Sequence, residues 1–192
     1  MRIPQATRFI LLHTRQNENV GAAARAIKTM GLFDLALVAP SDPKVLQRSK
    51  TIQRASGATD ILKSAKIYTT LDEALMDTNE IVCGTGMPVD MYQERPERKY
   101  VEPRTFFEKL VNYDNDITSI EKNNDGRGGD ELIRIAFVFG NEKSGMQESD
   151  MDKCQFMLGI ATNPKFGSLN LASAVQLIAY DWRMALGYYD AE

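Results

Sequence analysis

Apolar residues gather in short runs separated by amphipathic stretches. "RFILLH" (8–13), "DLALVAP" (34–40), "EIVCGTG" (80–86), "IRIAFVFG" (133–140) and "FMLGIAT" (156–162) read as buried strands, with "KIYTT" (66–70) a weaker sixth. Between them the apolar spacing predicts helices over 19–30, 44–56, 71–77, 103–112 and 168–187. Gly31 closes the first as a C-terminal cap, and Pro103 suits the opening of the fourth. In the last, Leu171, Ala174, Val175, Ile178 and Trp182 keep the period of one buried face. Near-continuous apolar strands alternating with helices predict an α/β fold, a mostly parallel sheet covered by helices on both faces. The domain is single and spans residues 1–192. "DNDITSIEKNNDGRGGDE" (114–131) offers almost nothing to bury and is predicted to be a mobile loop inside that domain.

Composition narrows the function classes. With 192 residues, 43% hydrophobic and 26% charged, the chain can build one sizeable core. No apolar run approaches the roughly 20 residues of a membrane span. "MRIPQATRFILLHTR" lacks the apolar core and cleavage site of a signal peptide. Cys83 and Cys154 are isolated, so reduced thiols in a cytoplasmic protein are expected. His13 is the only histidine, so no metal is expected and the usual histidine general base is missing. A net charge of -3 does not mark a nucleic-acid binder in bulk. Two local stretches are basic: Lys44, Arg48, Lys50 and Arg54, then Arg95, Arg98, Lys99 and Arg104.

An open parallel sheet binds ligands outside the carboxyl ends of its strands. The loops expected there are "HTRQNENVG", "CGTGMP", "FGNEKSGM" and "TNPKFGSLN", all rich in Gly, Asn, Ser or Thr. Neither G-x-G-x-x-G after the first strand nor a P-loop is present, which disfavours NAD and ATP. From the residues alone, a small-molecule site made largely of backbone groups is expected. Asn19 suits the N-cap of the first helix. Gly21 and the three alanines after it leave a face without bulk, which another backbone or a nucleic acid can approach.

"NENVGAAARAIKTMGL" (17–32), "AFVFGNEKSGM" (136–146) and "TNPKFGSLNLASAVQLIAY" (162–180) resemble, in order, the three motifs of the SpoU/TrmH family of RNA ribose 2'-O-methyltransferases in the SPOUT superfamily. The likeness runs on through "IQRASGATDIL", "TLDEAL" and "IVCGTG" and is greatest to the TrmJ-type group, which methylates tRNA. The resemblance implies a C-terminal deep trefoil knot, S-adenosyl-L-methionine as methyl donor, and a homodimer whose partner subunit completes the site. It implies tRNA as substrate, with rRNA and a non-catalytic knotted RNA-binding dimer as alternatives.

Residue by residue, Thr85, Gly86, Gly140, Ile160, Ser168 and Leu169 match positions that hold the cofactor. Arg25 matches the arginine assigned to catalysis, and Asn19, Glu142, Ser168 and Asn170 match polar residues that shape the site. A guanidinium keeps its proton, so Arg25 is expected to clamp a phosphate and stabilise the developing alkoxide. Glu142 is expected to organise its loop by hydrogen bonding. Ser168 is expected to cap the last helix, with Asn170 facing the pocket from its first turn. TrmJ-type proteins follow "GT" with a small residue, Ala and an arginine. This chain has "GTGMPVDMYQERPERKY", with Met87 and Pro88 there and Arg95 and Arg98 as the nearest basic residues. The C-terminal extension of many TrmJ-type proteins is not in this sequence, which leaves a minimal enzyme and a piece of a longer one both open.

Overall fold

The computed structural model describes residues 7–76, 81–85, 100–111, 134–163 and 165–187. The predicted loop 114–131, and with it Gly86, Met87, Pro88, Arg95, Arg98 and Lys99, lie outside the described residues.

The first half runs β1 (Thr7–Leu12), α1 (Asn17–Thr29), β2 (Asp34–Val38), a 3-10 turn (Val45–Gln47), α2 (Ser49–Ala55), α3 (Thr59–Ser64), β3 (Lys66–Tyr68) and α4 (Leu71–Leu75). The second half runs β4 (Ile81–Thr85), β5 (Tyr100–Val101), α5 (103–111), β6 (Ile135–Phe139), α6 (Glu148–Met151), β7 (Phe156–Leu158) and the C-terminal helix α7 (Leu171–Ala185). The described strands form one parallel sheet in the order β3-β2-β1-β6-β4-β7-β5. β6 is therefore inserted between β1 and β4, pairing Phe9 with Phe137 on one side and Ile81 with Ile135 on the other.

Alternation along these strands splits the core in two. Phe9, Leu11, Phe137 and Phe139 face a large cluster under α1, α2, α3, α5 and the C-terminal helix. Ile10, Leu12, Ala136 and Val138 face a smaller one under α4. The expected helical cover on both faces is present. Trp182 anchors the larger cluster, edge-on to Phe107 and Phe137 at 5.3 and 5.9 Å. Its indole N–H donates to Thr7 Oγ1 at 2.8 Å, so the buried polar tip is satisfied.

Local chemistry fixes the ends of the elements. Gly31, at φ 71°, closes α1 as predicted: its N–H donates to the Lys28 carbonyl and that of Leu32 to the Ile27 carbonyl. Gly21 is needed where α1 meets α2, because a Cβ there would stand 2.1 Å from the Thr51 carbonyl oxygen. The approaching backbone that the small-residue face predicts is α2.

Three expectations change. The helix predicted over 44–56 is broken at Arg48, whose backbone is extended, and Thr51 Oγ1 holds the break by bonding the Val45 and Asn17 carbonyls. The strand predicted over 156–162 stops at Leu158, and the chain beyond it becomes loop. The last helix begins at Leu171, three residues later than predicted. α3, β5 and α6 are additional elements, each too short to leave a periodic signal.

Candidate functional site

The carboxyl ends of β4, β6 and β7 open onto one cleft, floored by the start of the C-terminal helix. Thr85, Gly140, Ile160, Ser168 and Leu169 all line it, as do Glu142 and Phe139. Five of the six predicted cofactor positions thus share one wall, and the sixth, Gly86, lies outside the described residues. Thr85 Oγ1 donates to the Val138 carbonyl at 3.1 Å, tying the end of β4 to β6.

Gly140 is where the chain leaves β6 and doubles back. A Cβ there would stand 2.2 Å from the Gly145 carbonyl carbon and 2.4 Å from the Met146 nitrogen. Asn141 and Gly145 exchange two backbone hydrogen bonds of 2.9 Å, and Gly145 takes φ 69°. The Asn141 amide donates to the His13 carbonyl, while its oxygen accepts from the Lys143 N–H at 2.8 Å. The loop is thereby pinned to the end of β1. Asn141, Gly145, Leu171 and Ala174 also line the cleft; the sequence assigns no site role to the first two and reads the last two only as part of a buried helix face. The Asn and Gly spacing in "GNEKSG" is the signal that could have found the first two.

Glu142 reaches from this loop to the start of α1. Its carboxylate accepts from the Arg15 N–H at 3.0 Å, the Gln16 N–H at 3.2 Å and Asn19 Nδ2 at 3.1 Å. An anion at the opening turn of a helix also meets the favourable end of its dipole. With both oxygens engaged, Glu142 ties the loop after β6 to the start of α1.

Two capping expectations are corrected. α1 starts at Asn17 with Gln16 as N-cap, so Asn19 lies inside the first turn, buried, and bonds Glu142 rather than the helix. In the C-terminal helix the cap is Asn170, not Ser168: Asn170 Oδ1 accepts the Ala172 N–H at 2.9 Å. Ser168 stands two residues too early for that bond and lines the cleft instead. Asn170 is not among the cleft-lining residues. Its Nδ2 donates to Asn19 Oδ1 at 2.9 Å, so Glu142, Asn19 and Asn170 form one chain of hydrogen bonds behind the cleft wall.

Arg25 stands apart. It is exposed on α1, does not line the cleft, and its guanidinium has no bonding partner among the described residues. Of the first basic stretch, Arg48 is paired with Asp42, which lies below the usual carboxylate range through that bond, and Lys50 pairs with Glu18. Arg104 bonds Asp181 at 3.0 Å. Cys83 and Cys154 are unbridged, and burial pushes the Cys83 thiol up. Among the described residues no three acidic, cysteine or histidine side chains cluster as a metal site would require, and no helix is long and apolar enough to cross a membrane.

The SpoU rRNA methylase family profile matches residues 6–180. The chain is 36% identical over 178 residues to the tRNA (cytidine/uridine/adenosine-2'-O-)-methyltransferase TrmJ of Pseudomonas aeruginosa, covering 93% of this chain and 60% of that one. It spans 60–64% of the length of such curated relatives. Among solved structures, a probable methyltransferase from Bordetella pertussis Tohama I superposes with TM-score 0.80 at 32% identity, covering 95% of this chain and 97% of that one. The fold alone is shared, at 14% identity and TM-score 0.67, with the SpoU methyltransferase AviRb of Streptomyces viridochromogenes in complex with AdoMet, covering 98% of this chain and 63% of that one.

Proposed function

From the premise that the chain belongs to the SpoU rRNA methylase family, we propose that it transfers a methyl group from S-adenosylmethionine to a ribose 2'-hydroxyl of RNA, with tRNA as substrate. The observation that carries this reading is the junction at the cleft. The loop after β6, the start of α1 and the start of the C-terminal helix, far apart in sequence, are locked together by Glu142, Asn19 and Asn170 around a pocket walled mostly by backbone and small apolar groups. Choice of tRNA follows the naming of relatives such as that of P. aeruginosa.

The donor set fits the methyl donor. Ile160, Leu169, Leu171 and Ala174 offer apolar surface for an adenine ring, and among the described residues the cleft is lined by one carboxylate and by no lysine or arginine to repel a sulfonium. Gly140, Ser168 and Leu169 would hold the cofactor through backbone groups, with Thr85 at the rim. When bound, S-adenosylmethionine supplies a methyl already activated by its sulfonium. The protein's contribution is then alignment of the 2'-oxygen and exclusion of water, not activation of the carbon.

Arg25 would clamp the neighbouring RNA phosphate and stabilise the alkoxide as the hydroxyl proton leaves. Its absence from the lining of its own chain's cleft supports a homodimer in which each subunit lends Arg25 to the other. Phe166, Leu169, Leu177 and Tyr180, exposed at the cleft rim and along the C-terminal helix, offer apolar surface for that pairing. Insertion of β6 between β1 and β4 is compatible with the deep knot of the family. A cytoplasmic setting suits the two free thiols.

The test incubates purified protein with S-adenosylmethionine carrying a labelled methyl and either tRNA or rRNA. Label in 2'-O-methylated nucleotides of tRNA is expected. Label confined to rRNA would overturn the substrate, and the lack of any S-adenosylmethionine binding would leave a non-catalytic scaffold.

A further inference from the structure

Arg25 has a like-charged neighbour. Gly21 lies one turn before it on α1, and a Cβ at Gly21 would stand 2.9 Å from Arg54 Cβ. The missing side chain at Gly21 thus seats α2 so that Arg54 springs from directly over that turn. Residues four apart on a helix have Cβ atoms about 6 Å apart. Arg54 and Arg25 therefore leave their helices roughly one turn from each other. Both are exposed.

Three other cations of this surface are engaged. Lys28 is paired with Asp60 at 2.8 Å, Lys50 with Glu18 at 2.9 Å, and Arg48 with Asp42. Neither Arg25 nor Arg54 has an ion-pair partner among the described residues. Glu18 is held low first by its Lys50 hydrogen bond, and Arg54 adds only its charge from further off. Two arginines rooted about one helical turn apart, neither ion-paired among the described residues, repel one another, and successive phosphates of a strand lying over them turn that cost into binding.

We propose that Arg54 is a second RNA phosphate contact, holding the phosphate next to the one clamped by Arg25. This rests on the RNA methyltransferase reading. Arg54 touches neither the methyl donor nor the reacting oxygen and is a positioning residue: it sets the path of the strand across the exposed faces of α1 and α2. A bare phosphodiester contact carries no base specificity, so its signature is electrostatic.

The experiment compares wild type, Arg54→Ala and Arg54→Lys by tRNA binding across a salt series and by steady-state methylation. For Arg54→Ala, the slope of log K against log salt is expected to fall by about 0.7–0.9, the release of one phosphate's counterions. kcat/KM is expected to drop about tenfold through KM, with the affinity for S-adenosylmethionine and the melting temperature at wild-type levels. Arg54→Lys should restore the slope. A wild-type slope and KM in Arg54→Ala would overturn the inference while wild-type methylation leaves the proposed function standing. A wild-type protein that neither binds nor methylates RNA would overturn both.

Discussion

Asn170 Nδ2 donates to Asn19 Oδ1 across 2.9 Å, joining residues 151 positions apart. The same Asn170 caps the C-terminal helix and the same Asn19 holds Glu142, so one bond couples two helix starts and the loop after β6. Replacing Asn170 by Ala removes the cap, worth about 1 kcal/mol, and leaves the buried Asn19 oxygen without its donor, worth about 1–3 kcal/mol more. Urea unfolding should show the sum, with an unchanged m-value. Asn170→Ser keeps a capping oxygen but is too short to reach Asn19, and should recover only the smaller part.

Gly21→Ala opposes two forces of known sign. Alanine gains about 1 kcal/mol of helix propensity. The new Cβ would meet the Thr51 carbonyl at 2.1 Å, a backbone atom that moves only if α2 does. Overpacking of that kind costs about 1–3 kcal/mol, so the melting temperature should fall. Gly57→Ala, with nothing within 4 Å of its Cβ, is the control and should stay within about 0.5 kcal/mol of wild type.

Acid should weaken the fold through specific pairs. Asp42 is held low by its hydrogen bond to Arg48, and Asp60 by its hydrogen bond to Lys28. A carboxylate whose folded pKa is depressed contributes stability above its unfolded value, near 3.8 for both, and loses it as pH falls through the folded value. Stability measured between about pH 6 and pH 3 should therefore drop less in Asp42→Asn and Asp60→Asn than in wild type, the effect lying below about pH 4. Equal losses in all three would show that these exposed pairs contribute nothing.

If each subunit lends Arg25 to its partner, two dead proteins can make a live one. Arg25→Ala and Gly140→Ala should each be inactive, the first with normal S-adenosylmethionine affinity and the second without it. In a co-expressed dimer holding one of each, one cleft keeps both an intact loop and a lent arginine. About half of wild-type methylation per purified heterodimer is expected under two-fold symmetry. No recovery would place Arg25 in service of its own cleft.

Much of this was legible in the sequence, but unevenly. Strands such as β1, β2 and β6 are buried on both faces, and continuous apolar runs of that kind announce themselves. Loops rich in Gly, Asn, Ser and Thr at strand ends pointed only to a backbone-walled small-molecule site; the five described positions that line the cleft, Ile160 and Leu169 among them, came from the family resemblance. What periodicity could not supply was partnership. Asn19 and Ser168 have the chemistry of caps, and only the three-dimensional path of the chain shows that Glu142 claims the first while Asn170 displaces the second. Two-residue β5 and four-residue α6 are shorter than any period that would reveal them.

The place of β6 bears on how the protein comes into being. β1, β2 and β3 can pair as soon as they are made, and β4 follows, but β1 and β4 have no bond to each other and share only β6 as neighbour. At roughly 5–20 residues per second, β1 waits on the order of 6–25 s on the ribosome with an apolar edge open. A nascent chain that ends before β6 thus has only β3-β2-β1 as sheet, with β4 and β5 still lacking their neighbours and no cleft. Cofactor binding is accordingly a report on completed synthesis, since the groups that would hold the ligand assemble only once the last strands and the C-terminal helix have arrived.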